Sequence, residues 1–116
     1  MTADEMHALV MAFPGVEQGT SYGQPAYKVN GKVFTRLRRE DHSLVLQEIG
    51  FDEREMLIAA EPATFHFTEH YRNYPVVLAR IDSLDPGSLR NVLERRWRRI
   101  APKRLVRERD AGKPQG

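Results

Sequence analysis

Residues 25–37 read PAYKVNGKVFTRL and contain the strongest local structure signal in the chain. Asn30-Gly31 is the dipeptide favoured at the centre of a tight β-hairpin turn, where both residues need a positive φ. The runs on either side are rich in β-branched and aromatic residues, which are typical of strands. The stretch therefore predicts an antiparallel hairpin with strands over 25–29 and 32–37.

A two-residue turn also fixes which residues of the hairpin face each other, and opposed residues share a face of the sheet. One face then carries the rings of Tyr27 and Phe34. Lys32 and Arg36 are interleaved with these rings, and Arg38 follows. Rings for base stacking beside cations for phosphates are typical of proteins that bind single strands. The same pattern also fits a core face that lies under a helix, with the basic residues at its margin. The predicted opposed pairs are Val29–Lys32, Tyr27–Phe34 and Pro25–Arg36.

Capping and turn signals elsewhere predict an α+β fold. Thr2 followed by Glu5 fits a capping box at the start of a first helix. Asp85-Pro86 fits the entry to a last helix, whose apolar stripe includes Trp97. This order favours a small antiparallel sheet with N- and C-terminal helices packed on it. The remaining predictions are a helix over 2–13, a loop over 17–24, a strand over 43–49, a helix over 52–60, an irregular segment over 63–74, a strand over 74–81 and a helix over 86–100.

Length and composition limit the class of protein. The chain has 116 residues and no cysteine. This length predicts a single domain, over 1–106, followed by a polar and flexible tail over 107–116. The lack of cysteine excludes disulfides, thiolate metal sites and a cysteine nucleophile. No apolar run approaches the roughly 18 residues of a membrane span, so we expect no membrane partner.

The charge is distributed unevenly along the chain. Residues 1–86 carry a balance of −5, whereas residues 87–116 carry +7. A basic end on an acidic body can attract a polyanion or the acidic face of a second copy, although arginines also commonly cover exposed helix faces. The C-terminal candidates for phosphate contact are Arg95, Arg98, Arg99, Lys103 and Arg104.

One segment matches a catalytic motif by spacing alone. His66-Phe-Thr-Glu-His70 fits the H-x-x-E-H pattern of inverted zinc peptidases, which needs both histidines on one helical face. Pro62 and Pro75 bracket the segment closely, and its aromatic residues do not favour a helix, so we interpret the match as chance. The sequence also lacks a glycine-rich phosphate loop and a nucleophile elbow. We predict a protein that is not an enzyme and that has no metal and no cofactor.

Several short motifs, taken in order, resemble the MmcQ/YjbR family. The opening motifs are FPGV at 13–16, GQPAYKV at 23–29 and GKVF at 31–34. Later motifs are YPVV at 74–77, LDP at 84–86 and APKRL at 101–105. The resemblance covers about residues 3–105. Arg96 stands where many members have a serine before the aromatic residue of the last helix, which makes this helix more basic than usual.

The resemblance implies a CyaY-like fold, also described as a double-wing motif, in a small cytoplasmic bacterial protein. Members are usually labelled DNA-binding because this fold is similar to a phage transcription-factor domain, and the family has no established catalytic residues. We therefore expect a monomeric, non-catalytic protein that binds DNA or another nucleic acid. Its predicted phosphate contacts are the C-terminal candidates together with Lys28, Lys32, Arg36 and Arg38 of the hairpin.

The aromatic segment 65–74 supports an alternative function. Its rings alternate with polar groups, which is compatible with a protein-interaction or small-ligand-binding module. A concave pocket lined by these rings would distinguish this function from nucleic-acid binding. The candidate surface residues are Phe65, Phe67, Tyr71 and Tyr74.

Overall fold

The computed structural model describes residues 1–112. Short 3₁₀ turns lie at Glu69–Tyr71 and Ile81–Ser83. Within the described residues the elements are α1 (Ala3–Met11), β1 (Val16–Ser21), β2 (Gln24–Val29), β3 (Lys32–Arg38), β4 (Ser43–Gln47), α2 (Phe51–Ala60), β5 (Phe65–His66), β6 (Val76–Arg80), α3 (Pro86–Ile100) and α4 (Lys103–Ala111).

The strands form one antiparallel sheet in the order β1-β2-β3-β4-β6-β5. Helices α1 and α3 cover one face, where Phe34 and Trp97 are fully buried in the main core. The opposite face carries a smaller buried cluster of Val45, Tyr71 and Leu78 with Val76. This architecture confirms the predicted α+β fold with terminal helices packed on a small antiparallel sheet.

The helix boundaries follow the predicted caps. The Glu5 amide donates to Thr2 Oγ1 at 3.1 Å, and the Thr2 amide donates to Glu5 Oε1 at 3.0 Å. Asp85 caps α3 by accepting a hydrogen bond from the Ser88 amide at 2.9 Å. These caps satisfy amides that the first turn of a helix otherwise leaves unpaired.

The hairpin turn forms as predicted. Asn30 and Gly31 have φ values of 54° and 77°, and Val29 lies opposite Lys32. The Asn30 side-chain amide donates to the Ile100 carbonyl at 3.2 Å. The tip of the β2–β3 hairpin therefore lies against the C-terminal end of α3.

A β-bulge then shifts the register of the hairpin by one residue. Tyr27 lies opposite Thr35 and Ala26 lies opposite Arg36, so the predicted pairs Tyr27–Phe34 and Pro25–Arg36 are wrong. Phe34 is the extra residue of the bulge. Tyr27 and Phe34 are 6% and 0% exposed in the main core, while Arg36 lies on the other face of the sheet. The bulge therefore separates the hairpin rings from Arg36.

Two other predicted segments differ from the structure. Residues 17–24 were expected to form a loop, but Val16–Ser21 form the edge strand β1 and only Tyr22 and Gly23 form the turn into β2. Most of β1 is exposed, so its sequence lacks the apolar alternation that identifies a half-buried strand.

The predicted flexible tail is helical through Ala111. Pro102 ends α3 and caps α4, which packs back along α3. Arg98 Nη2 lies 2.7 Å from Asp110 Oδ1, and Arg109 Nη2 lies 3.0 Å from Glu94 Oε1. These two ion pairs join α3 to α4, so the chain remains ordered beyond residue 107. Residues 113–116 of the predicted tail lie outside the described residues.

Helix α2 presents an unexpected residue to the interior. The sequence of α2 predicts an apolar side at Met56, Leu57 and Ala60, but Met56 is 60% exposed and the buried residue is Arg54, at 6%. No helix within residues 1–112 combines the length and apolar character that crossing a membrane requires.

Candidate nucleic-acid interface

Five of the nine predicted phosphate contacts are ion-paired with carboxylates. Within residues 1–112, Lys28, Lys32, Arg36 and Lys103 form no such pair. A paired arginine can bind a phosphate only if the phosphate displaces or joins its carboxylate, so the four unpaired cations are the more available ones. The ion pairs are Arg38 with Glu40 and Asp41, Arg95 with Glu53, Arg98 with Glu94 and Asp110, Arg99 with Glu48, and Arg104 with Glu108.

The sheet face opposite α1 and α3, called the open face below, holds a cavity of about 580 Å³ beside the β1–β2 turn. Aromatic rings dominate its rim. Tyr22 is 94% exposed on the turn, and Tyr74 is 56% exposed across the cavity. The His70 ring stacks on Tyr74 with centroids 6.1 Å apart. The lining consists of Ser21, Tyr22, Val33, Arg36, Val45, Gln47, His70, Tyr71, Tyr74 and Val76.

Arg36 is the cation of this cavity. Its guanidinium carbon lies 5.8 Å from the Tyr22 ring centroid and 5.9 Å from that of Tyr71, and its Nη2 donates to the Tyr71 hydroxyl. These contacts hold the guanidinium between two rings. Among residues 1–112, no carboxylate lines the cavity, so the site favours a ligand that combines a negative charge with a flat apolar surface.

Arg54 holds the segment that supplies three of the cavity's rings. Its Nη1 donates to the carbonyls of Tyr71 and Tyr74 at 3.0 and 3.1 Å, and its Nη2 donates to that of Arg72 at 2.8 Å. A third bond from Nη1 reaches the Val76 carbonyl at 3.3 Å. The guanidinium also lies 4.0 Å from the Phe67 ring centroid. A single buried cation thus bridges four backbone carbonyls and ties this irregular turn to α2.

A smaller cleft of about 210 Å³ adjoins the cavity. It is lined by Arg95, Arg96 and Arg99 of α3 together with Gln47 and Glu48. Gln47 lines both the cavity and the cleft. The fold therefore places the cleft arginines of α3 next to aromatic rings from the β1–β2 turn and from the segment after β5.

A separate polar cluster lies where the β3–β4 turn meets β5. His66 Nε2 lies 2.8 Å from Asp41 Oδ2, and Arg38 Nε lies 3.3 Å from Asp41 Oδ1. Partial burial opposes ionisation of Asp41, but the hydrogen bond from His66 and the charge of Arg38 outweigh it and hold the pKa of that carboxyl below its usual value. This cluster engages Arg38 and His66 in structural contacts.

The lowered pKa of Asp41 predicts a pH-dependent contribution to stability. A lowered pKa in the folded state stabilises the protein above the unfolded-state pKa of about 3.9, and this stabilisation is lost as the pH falls through the lower folded-state pKa. We expect Asp41→Asn to lower the free energy of unfolding by about 1 kcal/mol at pH 7. Urea unfolding of both proteins should show this difference closing below about pH 4. A difference that stays constant from pH 7 to pH 2.5 would contradict the assignment.

The predicted aromatic surface divides into two parts. Tyr71 and Tyr74 line the cavity, whereas Phe65 is 2% exposed in the main core and Phe67 stacks over Arg54. The sequence reasoning missed Tyr22, although the adjacent Gly23 is a turn signal that could have identified this position. It also missed Arg54, and no local pattern marks a helical arginine as buried.

Comparison with known proteins places the chain in a family. The uncharacterised proteins Mb2600 of Mycobacterium bovis and MT2646 and Rv2570 of Mycobacterium tuberculosis are each 38% identical to it over 50 residues. That alignment covers 43% of this chain and 39% of each relative, so the chain spans well under half of the relatives it matches. No solved structure matches the chain significantly. The sequence model of the YjbR family matches residues 11–99, and the chain therefore belongs to the YjbR family.

Proposed function

We propose that this protein is a non-catalytic nucleic-acid-binding protein that binds single strands at the open face of its sheet. The observation that carries the proposal is the junction at Gln47, where the aromatic cavity meets the arginine cleft. Bases would stack on exposed rings, and phosphates would contact Arg36 and the cleft arginines Arg95, Arg96 and Arg99. The double-wing character and cytoplasmic location expected of the family belong to the same proposal, with the β2–β3 hairpin as a wing.

The exposed rings favour a single strand over a duplex. Tyr22 and Tyr74 present ring faces to solvent, and unstacked bases can lie against them. A duplex keeps its bases stacked inside and offers mainly phosphates. The cations alone could bind the phosphates of a single strand or of a duplex. The expected preference for a single strand therefore depends on the rings.

Fluorescence anisotropy of a labelled 12-nucleotide strand and of its duplex, measured across a salt series, tests this function. We expect micromolar binding of the single strand, weaker binding of the duplex, and a linear fall of log K with log salt concentration whose slope counts the neutralised phosphates. No binding at low salt would rule out the function. Tighter binding of the duplex would indicate that the basic surface binds nucleic acid and that the rings do not take part.

Two arginines of α3 provide a matched comparison for the surface. Arg99 lines the cleft, whereas the neighbouring Arg98 is held by Glu94 and Asp110 on the α4 side. We expect Arg99→Ala to weaken strand binding about threefold to tenfold and to lower the salt slope by about one, because one phosphate contact is lost. Arg98→Ala should leave both quantities nearly unchanged. Equal losses from both variants would indicate diffuse attraction to the basic helix instead of a defined cleft.

The cavity itself favours a second candidate function, the binding of a small anionic aromatic ligand. Its volume of about 580 Å³ lies within the range of roughly 300–1,000 Å³ usual for small-molecule sites. Such a ligand would bind in the cavity beside Arg36 and would not contact the arginine cleft. Thermal-shift measurements with aromatic carboxylates and phosphates test this directly. Stabilisation by an aromatic carboxylate, without strand binding at low salt, would favour the small-ligand function.

A further inference from the structure

Glu48 occupies the arginine cleft with its own carboxylate. Its Oε2 lies 2.5 Å from Arg99 Nε, and its Oε1 accepts a hydrogen bond from Arg96 Nη1. One carboxylate thus bridges two guanidinium groups. Arg95, the third arginine of the cleft, is paired with Glu53 at 2.9 Å. Two positive charges therefore face a single negative charge, and the cleft keeps a surplus of one positive charge.

Arg96 keeps its position independently of Glu48. Its Nε and Nη2 donate to the Val33 carbonyl at 3.2 and 2.6 Å, and its side chain is only 15% exposed. These bonds to the backbone of β3 leave Nη1 directed at the carboxylate. Departure of Glu48 would therefore leave an oriented guanidinium in place, which is the pre-organisation that anion binding requires.

An unusual backbone conformation brings Glu48 to the cleft. Its φ is 57°, in the left-handed region that non-glycine residues rarely adopt. Glu48 directly follows Gln47, the last residue of β4 and the residue that lines both the cavity and the cleft. At this left-handed position the Glu48 side chain meets Arg96 and Arg99 and remains 33% exposed to solvent.

We infer that the cleft is a binding site for a phosphomonoester and that Glu48 is its built-in competitor. The inference rests on the proposed nucleic-acid function, and it identifies the phosphorylated end of a strand as the part that binds in the cleft. An internal phosphodiester has one negative charge, which can balance the surplus charge of the cleft while Glu48 stays in place. A terminal phosphate has a charge of about −1.5 to −2 at pH 7, which balances both guanidiniums. A phosphorylated end can therefore displace Glu48, with the adjoining base against the rings beyond Gln47.

The test compares three strands of one sequence, with a 5′-phosphate, a 3′-phosphate or two hydroxyl ends, each carrying the same internal fluorophore. Wild-type protein should bind one or both phosphorylated strands about fivefold more tightly than the hydroxyl strand, and the two phosphorylated strands identify which end enters the cleft. Glu48→Gln should tighten binding of all three strands, because the competitor loses its charge. Glu55→Gln, the same change on the exposed face of α2, should not.

Arg99→Gln should abolish the preference for a phosphorylated end while retaining binding of the hydroxyl strand through Arg36 and the rings. Equal affinities of wild-type protein for all three strands, or a preference that survives Arg99→Gln, would overturn the inference and leave the proposed function standing. Failure of every strand to bind at low salt would overturn both.

Discussion

Replacement of Arg54 by methionine is expected to lower the free energy of unfolding by about 3 kcal/mol, because four carbonyl groups around this turn lose a charged hydrogen-bond donor. Arg54 is 6% exposed, and its guanidinium bridges the carbonyls of the turn that carries Tyr71 and Tyr74. Methionine fills much of the same volume but donates no hydrogen bond. Lysine provides one compact donor group and cannot span the same carbonyls, so Arg54→Lys should restore only part of the loss.

Urea denaturation measures this effect, and Arg72→Met provides the matched control. Arg72 lies in the same turn, but its side chain is 59% exposed and paired with Glu69. The control should change the free energy of unfolding by less than about 0.5 kcal/mol. If Arg54→Met were as mild as the control, Arg54 would not be the residue that holds this turn. Strand binding should fall with Arg54→Met even where the protein remains folded, because His70 and Tyr74 lose their position.

The double variant Tyr22→Ala, Tyr74→Ala is expected to weaken single-strand binding by at least about 30-fold, because stacking of each base on a ring contributes about 1–3 kcal/mol. The two rings are 94% and 56% exposed, so their loss removes little buried area and the stability should change little. The salt slope should stay the same, because no phosphate contact is removed. Loss of affinity at an unchanged slope is therefore the signature of stacking.

Anisotropy titrations at one fixed salt concentration, followed by a salt series, measure both quantities. Met56→Ala serves as the control, because Met56 is a 60% exposed apolar side chain on α2 outside the cavity. Unchanged affinity of the double variant would remove the rings from the interface and leave a surface that recognises phosphates alone.

Local signals predicted much of the fold because they depend on neighbouring residues. Asn30-Gly31 defines the hairpin turn, and Asp85-Pro86 defines the start of α3. The bulge at Phe34 could not be predicted, because it depends on the burial of that ring beneath α3. Strand β1 escaped prediction for the opposite reason, since an exposed edge strand needs no apolar pattern.

The sequence predicted which types of residue form the site, but it did not predict how the fold arranges them. The sequence identified Arg36 and the tyrosines of segment 65–74, but it placed Arg36 among the hairpin rings and not across the sheet from them. The α3 arginines were recognised as a basic cluster. Their carboxylate partners, Glu48 and Glu53, are distant in sequence and become neighbours only when α3 packs on the sheet.

An NMR titration of ¹⁵N-labelled protein with a short single-stranded oligonucleotide locates the interface most directly. Binding at the open face of the sheet and the adjoining cleft predicts amide shifts concentrated at residues 21–23, 33–36, 47–48, 70–74 and 95–99, with little change in α1. Shifts confined to α1 and α4, or an unchanged spectrum at low salt with excess strand, would contradict binding at this face.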